Sequence, residues 1–183
     1  MSQPHRVKLE SIEMNKSAAA VGAFMITVAL GVSTTQVQAA AGDEAGIRAL
    51  EARFAAAVSA KDVDAVMRVY LPDESLVVFD VVPPRQYVGA KACRKDWADY
   101  LGSFNGPLKF EISDLSVMAS GTMGFGHSIQ HVAGTDTKGQ PVDLTVRVTD
   151  VYRKIKGKWL IVHEHVSIPV DLDTGKPDLS SKP

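Results

Sequence analysis

The stretch from Val142 to Ile168, VDLTVRVTDVYRKIKGKWLIVHEHVSI, alternates apolar and polar residues on both sides of Lys156-Gly157. Period-two alternation around a glycine turn predicts a β-hairpin, Val142 to Lys154 paired with Lys158 to Ile168. Alternate residues share a face. One face carries Val146, Val148, Asp150, Tyr152, Leu160, Val162, Glu164, Val166 and Ile168. The other carries Thr145, Arg147, Thr149, Val151, Arg153, Trp159, Ile161, His163, His165 and Ser167. The first face is apolar except for two carboxylates, and a one-sided antiparallel sheet buries its apolar face. A three-residue turn, Ile155-Lys156-Gly157, sets Val148 opposite Glu164 and Arg147 opposite His165, with Asp150 and Glu164 as diagonal neighbours.

Working outward, two more strands precede the hairpin. Leu108 to Ala119 alternates through Phe110, Ile112, Leu115 and Val117; Met123 to Ala133 follows Gly121. Before Asn105-Gly106-Pro107 the texture is helical. Ile47, Leu50, Phe54, Ala57 and Val58 recur at helical spacing over Asp43 to Ala60, with Asp43 available as a cap. A short helix starts at Asp62 and stops at Pro72, a strand covers Ser75 to Asp80, and a helix runs from Ala90 to Leu101 with Cys93, Trp97 and Tyr100 or Leu101 on one side. Helices segregated from a run of antiparallel strands define an α+β fold, three N-terminal helices against an antiparallel sheet.

The chain has 183 residues, 45 % of them hydrophobic, with a formal net charge of −1. That is ordinary for one domain with its own core. No basic patch points to nucleic acid. The single cysteine, Cys93, excludes an intrachain disulfide. Residues 1–39 read as a signal peptide: Arg6, Lys8 and Lys16, then the apolar run Ala18 to Val32, then Val37-Gln38-Ala39 as a small-residue cleavage site. The run is shorter than the roughly 20 residues that span a membrane. Met14 is an alternative start. The expectation is therefore a domain over 40–169 and a tail over 170–183, periplasmic or secreted, with no membrane attachment after cleavage.

Two acids on a buried face are expected to raise each other's pKa, which is how a protein makes a general base or a neutral carboxylic acid near neutral pH. Asp150 and Glu164 are thus candidate catalytic residues, unless a structural ion pair neutralises them. His127 joins them as a proton shuttle if Phe125 and Ile129 point inward; otherwise it is a core histidine. Asp80, before Pro83-Pro84, is a further candidate acid or a turn residue. Tyr70, Cys93, Trp97, Tyr100 and Val166 are candidate ligand-binding residues. His163 and His165 share the outer face with Arg147. No third ligand is evident there, and a zinc enzyme takes three protein ligands. The outer face is therefore expected to be a homodimer or higher-oligomer contact rather than a metal site.

The element order and the terminal run GKWLIVHEHVSIP over 157–169 resemble the SnoaL-like branch of the nuclear-transport-factor-two-like superfamily. TDVYRKIKGKWLIVHEHVS over 149–167 is also similar to the end of the association domain of calcium/calmodulin-dependent protein kinase type two. The resemblance spans roughly Asp43 to Pro169. It implies a cone-shaped fold, a sheet curled around a cavity closed by helices, with many members associating through the outer sheet face. The arginines that line the kinase domain's pocket are absent: the matching positions are His127, Asp150 and Val166. Ketosteroid isomerases and polyketide cyclases of the superfamily use a pocket acid as general base, a role open to Asp80, Asp150 or Glu164, though none sits in a diagnostic motif. Three functions stay open: binding of a small hydrophobic ligand, acid–base catalysis needing neither metal nor organic cofactor, and an oligomeric scaffold.

Overall fold

A computed structural model of the chain describes residues 18–179. The expected basic segment with Arg6, Lys8, Met14 and Lys16, and the last residues of the tail, lie outside the described residues. The chain splits between Gln38 and Ala39 into two compact units. Helix α1 (Ala18–Ser59) runs from one into the other. Among the described residues no helix is long and apolar enough to cross a membrane.

From Ile47 onward α1 shows the expected stripe: Ile47, Leu50, Phe54, Ala57 and Val58 are buried. Asp43 does not cap it. The helix continues through Asp43, whose carboxylate instead takes the Lys154 ammonium at 2.6 Å. Helix α2 (Val63–Met67) is started by the Asp62 carboxylate, which accepts the Ala65 N–H at 2.9 Å. Helix α3 (Ala90–Gly102) buries Cys93 and Leu101. Phe54 joins the layers: it meets Tyr70, Trp97 and Phe110 edge-on, with centroids 6.0, 5.4 and 5.6 Å away.

The six strands are β1 (Val77–Phe79), β2 (Tyr87–Val88), β3 (Phe104–Ser120), β4 (Met123–Asp136), β5 (Pro141–Ile155) and β6 (Lys158–Ser167). They form one curved sheet in the order β2-β1-β6-β5-β4-β3. The sheet is not wholly antiparallel. β1 runs parallel to β6, Val78 level with Glu164. The intervening chain is the rest of the sheet, so no hairpin imposes the direction of that pair.

The β5–β6 register corrects the sequence reading twice. The turn has two residues, Lys156 and Gly157, at φ +49° and +79°. Positive φ at both positions is the tight turn whose twist matches that of the strands. Farther along, Val151 pairs with His163 and Tyr152 with Ile161, leaving Val162 as an extra residue in β6. Each feature shifts the register by one. Together they restore the parity of Asp150 and Glu164 and set them directly opposite each other. Between turn and bulge the parity is reversed, so Trp159 and Ile161, expected outside, are buried. Arg147 lies opposite Ser167, and His165 opposite Thr149.

β4 also departs from expectation. Its buried phase is Gly124, Gly126, Ser128, Gln130 and Val132, while Phe125 and His127 are exposed on the outer face. Helix α1 and Tyr152 crowd the inner side. A Cβ on Gly124 would stand 2.6 Å from Ile47, and one on Gly126 would stand 3.0 Å from the Tyr152 hydroxyl. Glycine avoids both close approaches, and Phe125 and His127 take the other face.

Candidate functional site

Five acids gather between the helices and the inner face of the sheet: Asp150 and Glu164 from the hairpin, Glu51 from α1, Asp80 just after β1 and Asp96 from α3. Asp150 and Glu164 are 2 % and 4 % exposed, and Glu51 is 2 % exposed. Among the described residues none of the five forms an ion pair with a base, and tyrosines bond the three most buried. Tyr70 donates to Glu164 Oε2 at 2.7 Å. Tyr152 donates to Glu51 Oε1 at 2.8 Å, and its hydroxyl is 3.4 Å from Asp150 Oδ2. A phenol has one proton. With that proton on Glu51, the contact to Asp150 is a hydrogen bond only if Asp150 carries a proton of its own.

The electrostatics agree. Burial, offset in part by the Tyr152 hydrogen bond, raises Glu51 to about 7. Burial raises Glu164 to about 8, against the opposing Tyr70 hydrogen bond and with Asp80, Glu51 and Asp96 adding repulsion. Asp150 is held well above the usual carboxylate range by burial, then by Glu164 and Glu51. These are desolvated acids that favour the neutral form.

A cavity of about 360 Å³ opens beside the cluster. Asp80, Asp96 and Glu164 face it, with Val78, Phe110, Val132, Leu144, Val146 and Val166 as apolar wall and Tyr87, Trp97 and Tyr100 as aromatic wall. Asp80 is raised to about 6, mainly by burial, against the opposing Val81 N–H hydrogen bond and with the neighbouring Asp96 carboxyl adding to it. Asp96 is raised by burial as well. Asp99 lies at the edge and pairs outward with Lys95.

Of the residues singled out from sequence, Asp80, Glu164, Trp97, Tyr100 and Val166 meet at this cavity. Asp150 sits behind it, in the Glu51–Tyr152 network. Tyr70, expected on the wall, is 1 % exposed and reaches the site only through Glu164. Cys93, also expected there, is 2 % exposed and packs in the core with its thiol pKa raised by burial. His127 faces away from the acids because the glycine phase of β4 is the inner one. Arg147 and His165 are exposed on the outer face. There Phe79 stacks edge-on against His163 and His165 at 5.0 and 5.6 Å. Among the described residues no group of three or more His, Cys, Asp or Glu could hold a metal ion.

Glu51, Asp96, Ser128 and Gln130 are not evident as site residues in the alternation reading. For two of them a signal existed. Glu51 lies four residues after Ile47 and three before Phe54, and Asp96 three after Cys93, so both fall on the buried stripes of their helices.

The SnoaL-like domain model matches residues 47–171. The chain belongs to the SnoaL-like domain family. Solved structures agree with this SnoaL-like assignment. An NTF2-like protein of unknown function from Pseudomonas putida is 30 % identical, with a TM-score of 0.70, over 78 % of this chain and 98 % of its own. A protein from Xanthomonas campestris described as a calcium/calmodulin-dependent protein kinase II association domain is 24 % identical at TM-score 0.57, covering 66 % and 84 %. A ketosteroid isomerase-like protein from Erwinia carotovora atroseptica is 21 % identical at TM-score 0.58, covering 67 % and 93 %. The last two show the fold alone. No curated protein matches the SnoaL-like chain.

Proposed function

We propose that this SnoaL-like domain binds a small, mostly apolar molecule in the cavity between α3 and the sheet. One observation carries the reading: an apolar and aromatic wall around about 360 Å³ of space, with a few convergent polar groups, Asp80, Asp96 and Glu164, at one side. That combination suits a ligand site. The curved sheet and the helices over it are read here as the conical pocket of the superfamily. Val146 is 6 % exposed and lines the cavity, so Val146→Phe fills it. Mass spectrometry of small molecules retained by the purified protein tests the proposal. A retained molecule is expected, and it should be lost in Val146→Phe. A protein that retains nothing and binds no member of an apolar fragment set would end the reading.

A second reading, acid–base catalysis, is favoured by the Asp80–Asp96 pair. Two neighbouring carboxyls titrate apart, and Asp80 is held near 6. An ionised Asp80 would take a proton from carbon, and neutral Glu164, oriented by Tyr70, would donate toward the developing oxyanion. Solvent deuterium uptake beside the carbonyl of apolar aryl ketones tests it. Uptake above the uncatalysed rate should fall by at least about a hundredfold in Asp80→Asn; no uptake with any ketone removes this reading.

The proposal also includes export of a mature chain starting at Ala40 and pairing of two copies through the outer face around Arg147, His163 and His165. N-terminal sequencing of the exported protein tests the first. Sedimentation tests the second, Arg147→Ala or His165→Ala weakening the dimer; a monomer at all concentrations rejects it.

A further inference from the structure

The charge around the cavity is one-sided. Asp80, Asp96 and Glu164 face the space, and among the described residues no Lys, Arg or His lines it. Of the cations close to it in the chain, Lys95 pairs with Asp99 and Arg94 with Asp64, while Arg85, exposed in the loop between Pro83 and Tyr87, is not among the lining residues. The acids share the lining with aromatic rings: Trp97 and Tyr100, edge-on to each other at 5.8 Å, and Tyr87. Carboxylates together with aromatic rings in one cavity are a suitable chemical environment for an organic ammonium.

A second observation is independent of the acids. Gln130 lines the same cavity and is 6 % exposed, yet its Nε2 has no hydrogen-bond partner. Buried amide donors are nearly always satisfied. An orphan donor beside the cavity would be satisfied by an acceptor oxygen on an occupant that reaches it.

We infer that the ligand of this cavity is a small organic cation: a protonated amine set among Asp80, Asp96 and Glu164, on an aromatic or aliphatic body that offers an oxygen to Gln130. The inference rests on the binding reading above and narrows it to one charge class. The raised pKa values of Asp80 and Glu164 fit it, since an acid desolvated without a counter-charge is the group that gains most when a cation arrives.

Three probes of one shape separate the charge classes: tyramine is a cation, tyrosol is neutral and hydroxyphenylacetate is an anion, and each keeps the same phenol oxygen. Calorimetric titration of the whole protein at neutral pH is expected to show tyramine binding at least about tenfold tighter than tyrosol, with the anion weakest. Val146→Phe should abolish tyramine binding, and Asp80→Asn with Asp96→Asn should bring it down to that of tyrosol. Tyrosol or hydroxyphenylacetate binding as well as tyramine would overturn the inference, and so would tyramine binding that survives Val146→Phe. If a neutral or anionic probe binds in a Val146→Phe-sensitive way and tyramine does not, the pocket stands and its charge class falls. If no probe binds and no molecule is retained, the binding reading falls and takes this inference with it. The comparison of the three probes on the unaltered protein decides the matter even if the double variant fails to fold.

Discussion

Tyr152 is fully buried, and its one hydroxyl serves two acids, Glu51 and Asp150. Both acids already carry one oxygen with no partner, Glu51 Oε2 and Asp150 Oδ1. Removing the hydroxyl strands the remaining oxygens in a dry site. Tyr152→Phe should therefore destabilise the protein by about 1–3 kcal/mol, measured by urea unfolding; a change within error would show that the carboxyls relax onto other partners. The double variant Tyr152→Phe with Glu51→Leu should recover part of the loss, because it removes an orphaned acceptor together with its donor. At this scale Asp150 and Glu164 were legible as buried acids from alternation, and Asp80 as a candidate acid from its position before Pro83-Pro84. Tyr152 was legible as inward-facing, but its role was not. A hydrogen bond between residues 51 and 152 depends on how a helix is laid on a sheet, and no local pattern carries that.

At the scale of elements, the hairpin shows how far periodicity reaches. Its alternation predicted two strands and the shared face of Asp150 and Glu164. It missed the segment between turn and bulge. There the parity is reversed, and Trp159 and Ile161 go inward. A one-residue slip exchanges the faces of a strand. A bulge is such a slip applied to part of one, and WLIVHE, mostly apolar in both phases at its start, does not mark the place. β4 misleads for a different reason. Its inner phase begins with two glycines because α1 and Tyr152 stand against it. Gly124→Ala would place a methyl 2.6 Å from the buried Ile47 side chain. It should destabilise by about 1–3 kcal/mol through overpacking. The paired change Ile47→Val with Gly124→Ala should recover part of that; if Gly124→Ala alone is neutral in thermal unfolding, the close approach is not real.

For the whole molecule, the buried acids dictate the pH dependence of stability. Folding raises Glu51 to about 7, Asp80 to about 6 and Glu164 to about 8 from ordinary carboxylate values. A raised acid binds its proton more tightly in the folded state. Its contribution is full below the unfolded-state value and is lost as pH climbs through the folded value. The domain should therefore melt at a higher temperature at about pH 5 than at about pH 8. Glu164→Gln, which cannot ionise, should flatten that slope; a melting temperature that rises from acid to neutral pH would contradict the burial of these acids as neutral groups. Sequence by itself determined the α+β class, the order of helices and strands, the family resemblance and the presence of acids on a buried face. Periodicity, turn residues and burial preference are local, and they act through residues a few positions apart. Tertiary structure alone decided which acids meet a cavity, that His127 faces away, that Val162 is extra and that Tyr70 and Tyr152, rather than bases, answer the carboxyls. Those outcomes depend on contacts between residues about a hundred positions apart, such as Tyr70 with Glu164 and Glu51 with Tyr152, and only the packing of the helices on the sheet brings them together.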